Sequence, residues 1–479
     1  MIFATTVDSP ERSQLLAMNA PLYDIRLSYD SNSDGPAQTP PPASDEVVAA
    51  DLNRTLLGLR VGYPIGVPAS PLTANSRWIE TCSAQGFNVL TYKTVRSKST
   101  PSLPAPNWLF TKDLAEPLPI NADIDNQPVR VHRFLRRPNN PRAYSMINSC
   151  GIPSDSPVDW EADIRRSLEV LRRGQILLVS VVGDYENLSG DQLVDDFVEI
   201  ALRVEQTGAS IVELNLSCPN SVSHESGGLL PPICKSMPDT RRIVKAVRNA
   251  LSPQTKLVVK LSYLTRNELE NVVGSIADSI DGISGINTLQ VPVADDERGP
   301  IFVGTPDNPS EPRRRAGLSG VAIRDYALDF VRSLALLRRK FGWEFEIVAM
   351  GGVMEPHDVR ALMASGADAV QSATAAENNP ELPREICGDG HRLPSEEERL
   401  TNLVAFALDD DRWAFRTVGG LASELGLSLE DIERVLEARP QIARRSVMTD
   451  QAGHPLYSSF ERKPTMRERL EQLRWMLAR

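Results

Sequence analysis

Glu213, Asn215, Ser217 and Cys218 follow one another along "VELNLSCPNS", residues 212–221, between the apolar side chains of Val212, Leu214 and Leu216. A thiol can take up or deliver a proton, and a carboxamide offers a donor and an acceptor on one flat group. The two-residue alternation predicts a strand with one apolar and one polar face, which Pro219 ends. Such a strand is either a half-exposed edge or the wall of a reaction site. Similar chemistry recurs at other strand-like ends. Val258 and Val259 precede Lys260, "GINT" ends in Asn287 and Thr288, "AMGGV" carries Gly351 and Gly352, and "QSATAAE" carries Ala373 and Thr374. A lysine at such an end either snorkels to water or meets an anionic partner. Paired glycines and a small residue before threonine suit a phosphate held on backbone amides.

The elements that would position these residues are eight short β-rich runs: "VGYPIGVP" near 62, "NVLTYK" near 88, "QILLVSVV" near 175, "SIVELNLS" near 210, "KLVVKLS" near 256, "DGISGINT" near 281, "FEIVAMGG" near 345 and "DAVQSATA" near 368. Amphipathic stretches such as "DQLVDDFVEIALRVEQTG" and "DTRRIVKAVRNAL" lie between them. Strand and helix in alternation imply a parallel sheet, and eight repeats predict an α/β TIM barrel, with a doubly wound sheet as the alternative. In a barrel Leu214 and Leu216 pack outward, while Asn215 and Ser217 reach the mouth and Cys218 opens the loop. Two long insertions interrupt the alternation, one between the second and third runs and one, "VPVADDERGPIFVGTPDNPSEPRRRAGLSG", between the sixth and seventh. Both follow strand C-terminal ends, where barrel enzymes build their sites.

The chain has 479 residues and a net charge of -11, so a nucleic-acid backbone is not its expected main partner. Its five cysteines form no C-x-x-C pair, which signals neither a zinc ribbon nor an iron-sulfur cluster; no metal is expected. There is no basic start followed by an apolar core, and no apolar run nears 18 residues. A soluble, cytoplasmic protein follows as the expectation. Residues 1–50 read as an N-terminal extension with the Pro-rich connector "SNSDGPAQTPPPAS", 51–385 as the barrel and 400–479 as a separate module. In that module a short helix, a Gly-containing turn, a helix opened by Ser428 and two short strands around "QAGHP" resemble a winged helix-turn-helix. Glu430, Asp431, Glu433 and Glu437 on its second helix would repel phosphate, so a protein partner is expected there.

From "ELNLSCPN", with "VPAS", "YKT", "INSCGIP", "VVKLS", "GINT", "GLSG" and "GGV" in order across residues 50–380, the chain resembles the dihydroorotate dehydrogenase family, including the catalytic domain of dihydropyrimidine dehydrogenases. The resemblance implies an FMN-binding barrel that acts on the CH–CH bond of a dihydropyrimidine, with dihydroorotate as the first substrate. It implies that Ala69, Ser70, Thr94, Gly320, Gly351, Gly352, Ala373 and Thr374 contact FMN. Lys93 would touch both flavin and substrate, and Lys260 would approach the flavin ring. Asn148, Asn215, Asn220, Asn287 and Thr288 would bind a flat pyrimidine, and Cys218 would be the catalytic acid or base, with hydride passing to flavin N5. A soluble electron acceptor or donor and a homodimer also follow from it.

The sequence departs from the family where Ala373 replaces a glycine, where "SVSHESGGLLPPICKSMP" brings a second thiol, Cys234, and where Cys150 replaces a larger residue. Arg313, Arg314 and Arg315 form either a solvated face or a greeting for an acidic partner. Two other functions fit part of the pattern: a flavin reductase of another cyclic amide or activated alkene, and a degenerate barrel that serves as a regulatory scaffold.

Overall fold

The computed structural model describes residues 22–36, 42–43, 54–133, 140, 142–218, 231–305, 308, 310–388, 392–410 and 412–477. Eight parallel strands close into a barrel: β1 (Ile65–Val67), β2 (Val89–Val95), β3 (Ile176–Val181), β4 (Ile211–Asn215), β5 (Lys256–Lys260), β6 (Gly282–Gly285), β7 (Glu346–Met350) and β8 (Ala369–Gln371). They coincide with the eight runs read from the sequence. Helices α1 (Ser76–Ala84), α2 (Pro157–Glu169), α3 (Gly190–Gln206), α4 (Met237–Ala250), α5 (Arg266–Gly274), α6 (Arg324–Phe341) and α7 (Pro356–Ala364) cover it. In α3 the buried residues Phe197, Ile200, Ala201 and Val204 recur at helical spacing and form the stripe that faces the strands. Ser236 caps α4 and Pro238 stands in its first turn, both favoured at a helix start.

Strand parity sorts the inner wall by height. Val89, Ile176, Leu178, Ile211, Val258, Val348 and Ala369 form an apolar plug at the N-terminal end, closed from below by Leu56, Leu57 and Val61 of the hairpin 54–61. Toward the C-terminal ends the same parity turns polar, with Thr91 and Lys93 on β2, Ser180 on β3, Glu213 and Asn215 on β4, Lys260 on β5, Ser284 on β6 and Gln371 on β8. Burial of the plug supplies stability, roughly 1.5–3 kcal/mol for each large aliphatic side chain, while the polar layer above it is available for chemistry.

The two insertions do not remain loops. Trp108–Phe110 and Ser145–Asn148 from the first join Leu289–Pro292 and Arg315–Gly320 from the second in one four-stranded antiparallel sheet. This sheet contributes Trp108, Asn148, Ser319 and Gly320 to the cavity at the barrel mouth.

After β8 come α8 (Thr374–Asn378), α9 (Leu382–Gly388) and α10 (Glu396–Asp409), then α11 (Val418–Leu425), α12 (Leu429–Ala438), the hairpin β9 (Ala443–Thr449) with β10 (Pro455–Ser459), and α13 (Met466–Leu477). Ile432, Val435 and Leu436 of α12 are buried, and Glu430, Glu433 and Glu437 are exposed. No helix among the described residues is long and apolar enough to cross a membrane.

Candidate active site

A cleft at the C-terminal ends of the strands, with about 1020 Å³ of empty space counted to its open mouth, brings the chemistry-bearing residues together. Ala69, Ser70, Lys93 and Thr94 line it from the ends of β1 and β2. Asn215, Cys218, Lys260, Asn287 and Thr288 line it from β4, β5 and β6, and Gly351, Gly352, Ala373 and Thr374 from β7 and β8. Asn148 and Gly320 enter from the antiparallel sheet. Asn220 lies outside the described residues. Sequence reading missed Trp108, Ser319 and Gln371 as lining residues; for Gln371 the signal was its place in the polar parity of β8.

One hydrogen-bonded chain crosses the cavity wall. Asn287 Nδ2 donates to Ser217 Oγ at 2.9 Å, Ser217 Oγ donates to Asn215 Oδ1 at 2.8 Å, and Asn215 Nδ2 donates to Thr94 Oγ1 at 3.1 Å. The Thr94 and Ser180 hydroxyls lie 3.0 Å apart. Asn148 Nδ2 donates to the Gly317 carbonyl at 3.1 Å, and Asn287 Oδ1 accepts from the Thr288 amide at 2.8 Å. These bonds lock the carboxamide orientations, so a ligand meets donors already in place.

Lys93 and Lys260 form no ion pair among the described residues, although Lys260 is only 3% exposed. Burial lowers the pKa of both; for Lys93 the Cys150 and Cys218 thiols push back, and for Lys260 Glu213 and Cys218 do. Two desolvated cations facing one cleft call for an anionic or electron-rich ligand. Gln371 donates to the Val89 carbonyl and Thr91 Oγ1, each at 2.9 Å, while its buried Oε1 accepts no hydrogen bond from the described residues. This acceptor matches a ring N–H. Ala373 adopts φ -98°, which any residue accepts, so its methyl group causes no strain. Gly352 is at φ +71°, where a Cβ would lie 2.4 Å from the Arg324 Cα. The site therefore fits a flavin mononucleotide, with cations and an acceptor for the ring and small residues at the β7 and β8 ends for the phosphate.

Two expectations change. Glu213 is not part of the cavity wall. It is fully buried one step lower in the barrel, because the period of two sets its face but not its height. Arg313 is not a solvated residue: its guanidinium donates to the carbonyls of Val303, Ser149 and Pro104 at 2.7–2.8 Å and stacks on Phe302, and burial lowers its pKa to about 10. Arg314 and Arg315 pair with Asp295 and Asp125. Cys234 is also fully buried and does not line the cleft; its Sγ lies 3.1 Å from Ser262 Oγ. Cys150 does line it, with its thiol pushed up by burial.

The family model described as dihydroorotate dehydrogenase matches residues 133–391, more than half of the chain. The chain belongs to the dihydroorotate dehydrogenase family. Its relatives in this family of oxidoreductases include the dihydroorotate dehydrogenase of Dictyostelium discoideum, 28% identical over 364 residues that cover 74% of this chain and 94% of the relative. Another is the catalytic subunit of dihydroorotate dehydrogenase B (NAD(+)) from Thermodesulfovibrio yellowstonii, 29% identical over 51% of this chain and 73% of the relative. Among solved structures, dihydroorotate dehydrogenase from Eimeria tenella in complex with ferulenol superposes with a TM-score of 0.52 at 17% identity, covering 84% of this chain and 94% of that one, which shows a shared fold.

Proposed function

We propose that this member of the dihydroorotate dehydrogenase family is an FMN-dependent oxidoreductase that oxidises the CH–CH bond of a dihydropyrimidine, with dihydroorotate as its substrate. The observation that carries the reading is the convergence of Cys218, Lys93, Lys260 and an ordered carboxamide chain on one cleft. Bound FMN would supply the two-electron acceptor. Asn148, Asn215, Asn287 and Thr288 would bind the ring's alternating C=O and N–H groups, joined by Asn220. Ala69, Ser70, Thr94, Gly320 and the ends of β7 and β8 would hold the cofactor. Cys218, as thiolate, would take the proton from the carbon beside the substrate carbonyl while the neighbouring carbon gives up its hydride. Lys93 and Lys260 would offset the negative charge that develops.

We also assign residues 1–50 to an N-terminal extension, 51–385 to the catalytic barrel and 400–479 to a winged-helix-like module. The exposed acids of α12 suit a basic protein surface, a homodimer partner included, and not nucleic acid. A soluble electron acceptor and a cytoplasmic location belong to the same reading.

The visible spectrum of the purified protein tests the function. The expected result is a flavin spectrum that bleaches on anaerobic addition of dihydroorotate. A colourless protein that cannot be reconstituted with FMN would sink the enzyme reading. Bleaching by another cyclic amide or activated alkene, with none by dihydroorotate, would move the chain to a different substrate.

A further inference from the structure

We infer that Glu213 is a positioning residue that keeps Lys260 positively charged beside the flavin, and so sets how firmly the flavin is held in its reduced form. The inference rests on the flavin reading above. Strand register places Asn215 of β4 opposite Lys260 of β5 and Glu213 opposite Val258, so the carboxylate starts one step below the ammonium group. On the other side of β5, Ser284 of β6 is Lys260's partner. Glu213 Oε2 accepts a hydrogen bond from Ser284 Oγ at 2.7 Å. To make it, the side chain must cross the inner face of β5, beneath Lys260.

This carboxyl group is fully buried, and its other oxygen, Oε1, accepts no hydrogen bond from the described residues. A single hydroxyl is poor compensation for a buried carboxyl group, and the register makes Lys260, one step higher on the neighbouring strand, the basic side chain nearest to it in the barrel layer. The other charged or titratable groups acting at this point are Cys218, beyond the end of β4, and Lys93 of β2, whose charge opposes that of Lys260. Burial pulls the Lys260 pKa down and Glu213 raises it. Without Glu213, Lys260 would face the cleft with a second lysine and no carboxylate beneath it. The residue would therefore act through Lys260 without touching the ligand.

The test is the midpoint potential of the bound flavin as a function of pH, measured on wild type, Glu213→Gln and Lys260→Met holoenzymes and on the double variant. If Lys260 stays charged in both redox states, the wild-type potential falls by about 30 mV per pH unit, one proton per two electrons. In Glu213→Gln, Lys260 should lose its proton in the oxidised enzyme at neutral pH and regain it on reduction, which roughly doubles that slope. Adding Glu213→Gln to Lys260→Met should change nothing further. An unaltered slope in Glu213→Gln, or an equal effect with Lys260 absent, overturns the inference while leaving the flavin assignment intact. A wild-type protein that takes up no flavin fails the functional reading instead. Should Glu213→Gln not fold, Glu213→Asp keeps the charge on a shorter arm, and its slope should lie between those of wild type and a charge-free site; a wild-type slope there overturns the inference.

Discussion

Cys218 and Cys234 are the pair of side chains whose roles separate most sharply. Cys218 lines the cleft near both lysines, whereas Cys234 is fully buried against Ser262. Cys218→Ala should keep its flavin and lose roughly 10²- to 10⁴-fold in turnover, the usual share of a general acid or base. Cys234→Ala should keep most of its activity. Single-turnover bleaching by substrate separates the two, and the reverse ranking would place the proton carrier outside the family motif. The catalytic candidates were legible because each is a polar residue ending an apolar run, a signal that survives in one dimension. Glu213 shares the parity of Asn215, so alternation could not tell an inward carboxylate at mid-barrel from one at the mouth. Arg313 sits in a run of three arginines that looks solvated, and only folding reveals the carbonyls of Pro104, Ser149 and Val303 that claim it.

At the scale of elements, the eight barrel strands were readable because they are short β-rich runs, most of them followed by amphipathic helical spacing. The antiparallel sheet over the mouth was not, since its strands span only three to six residues and come from two distant insertions. Tertiary pairing creates it, and no local periodicity announces it. The turn after β7 shows how closely the elements are fitted. Gly352 lies against the first turn of α6, with positive φ and no room for a methyl group beside Arg324. Gly352→Ala combines left-handed backbone strain with overpacking against a backbone atom, so it should cost about 2 kcal/mol or more. It should also weaken FMN retention, because the same turn lines the cleft. Thermal unfolding of the apo-protein together with flavin release on dilution measures both; an unchanged melting temperature would mean that α6 yields easily at this turn.

Across the whole molecule, the C-terminal segment is joined to the barrel by packing and by charge. Leu421, Leu425, Ile432 and Val435 belong to the same buried cluster as Phe330 and Leu334 of α6. Arg266, at the start of α5, bonds Asp410 at 2.9 Å and Glu424 at 3.2 Å and stacks on Phe406. Burial raises the Asp410 pKa, but its hydrogen bonds from Arg412 and the charges of Arg266 and Arg412 outweigh that effect and hold it at about 2, below the ordinary 3.8. A carboxyl depressed on folding stabilises the protein at pH values above its unfolded pKa and loses that contribution as the pH falls through the folded one. The ionised Asp410 should therefore hold the segment in place fully above about pH 4 and progressively less toward pH 2. Asp410→Asn removes this contribution at every pH, so wild type should melt higher above pH 4, and the gap should close as acid is added. Arg266→Ala removes one cation from two carboxylates and uncovers Phe406, with an expected loss of about 1–2 kcal/mol at neutral pH. Melting curves of wild type and Asp410→Asn from pH 6 to pH 2.5 decide the point. A gap that does not narrow in acid would show that packing against α6, and not this carboxylate, holds the C-terminal segment on the barrel.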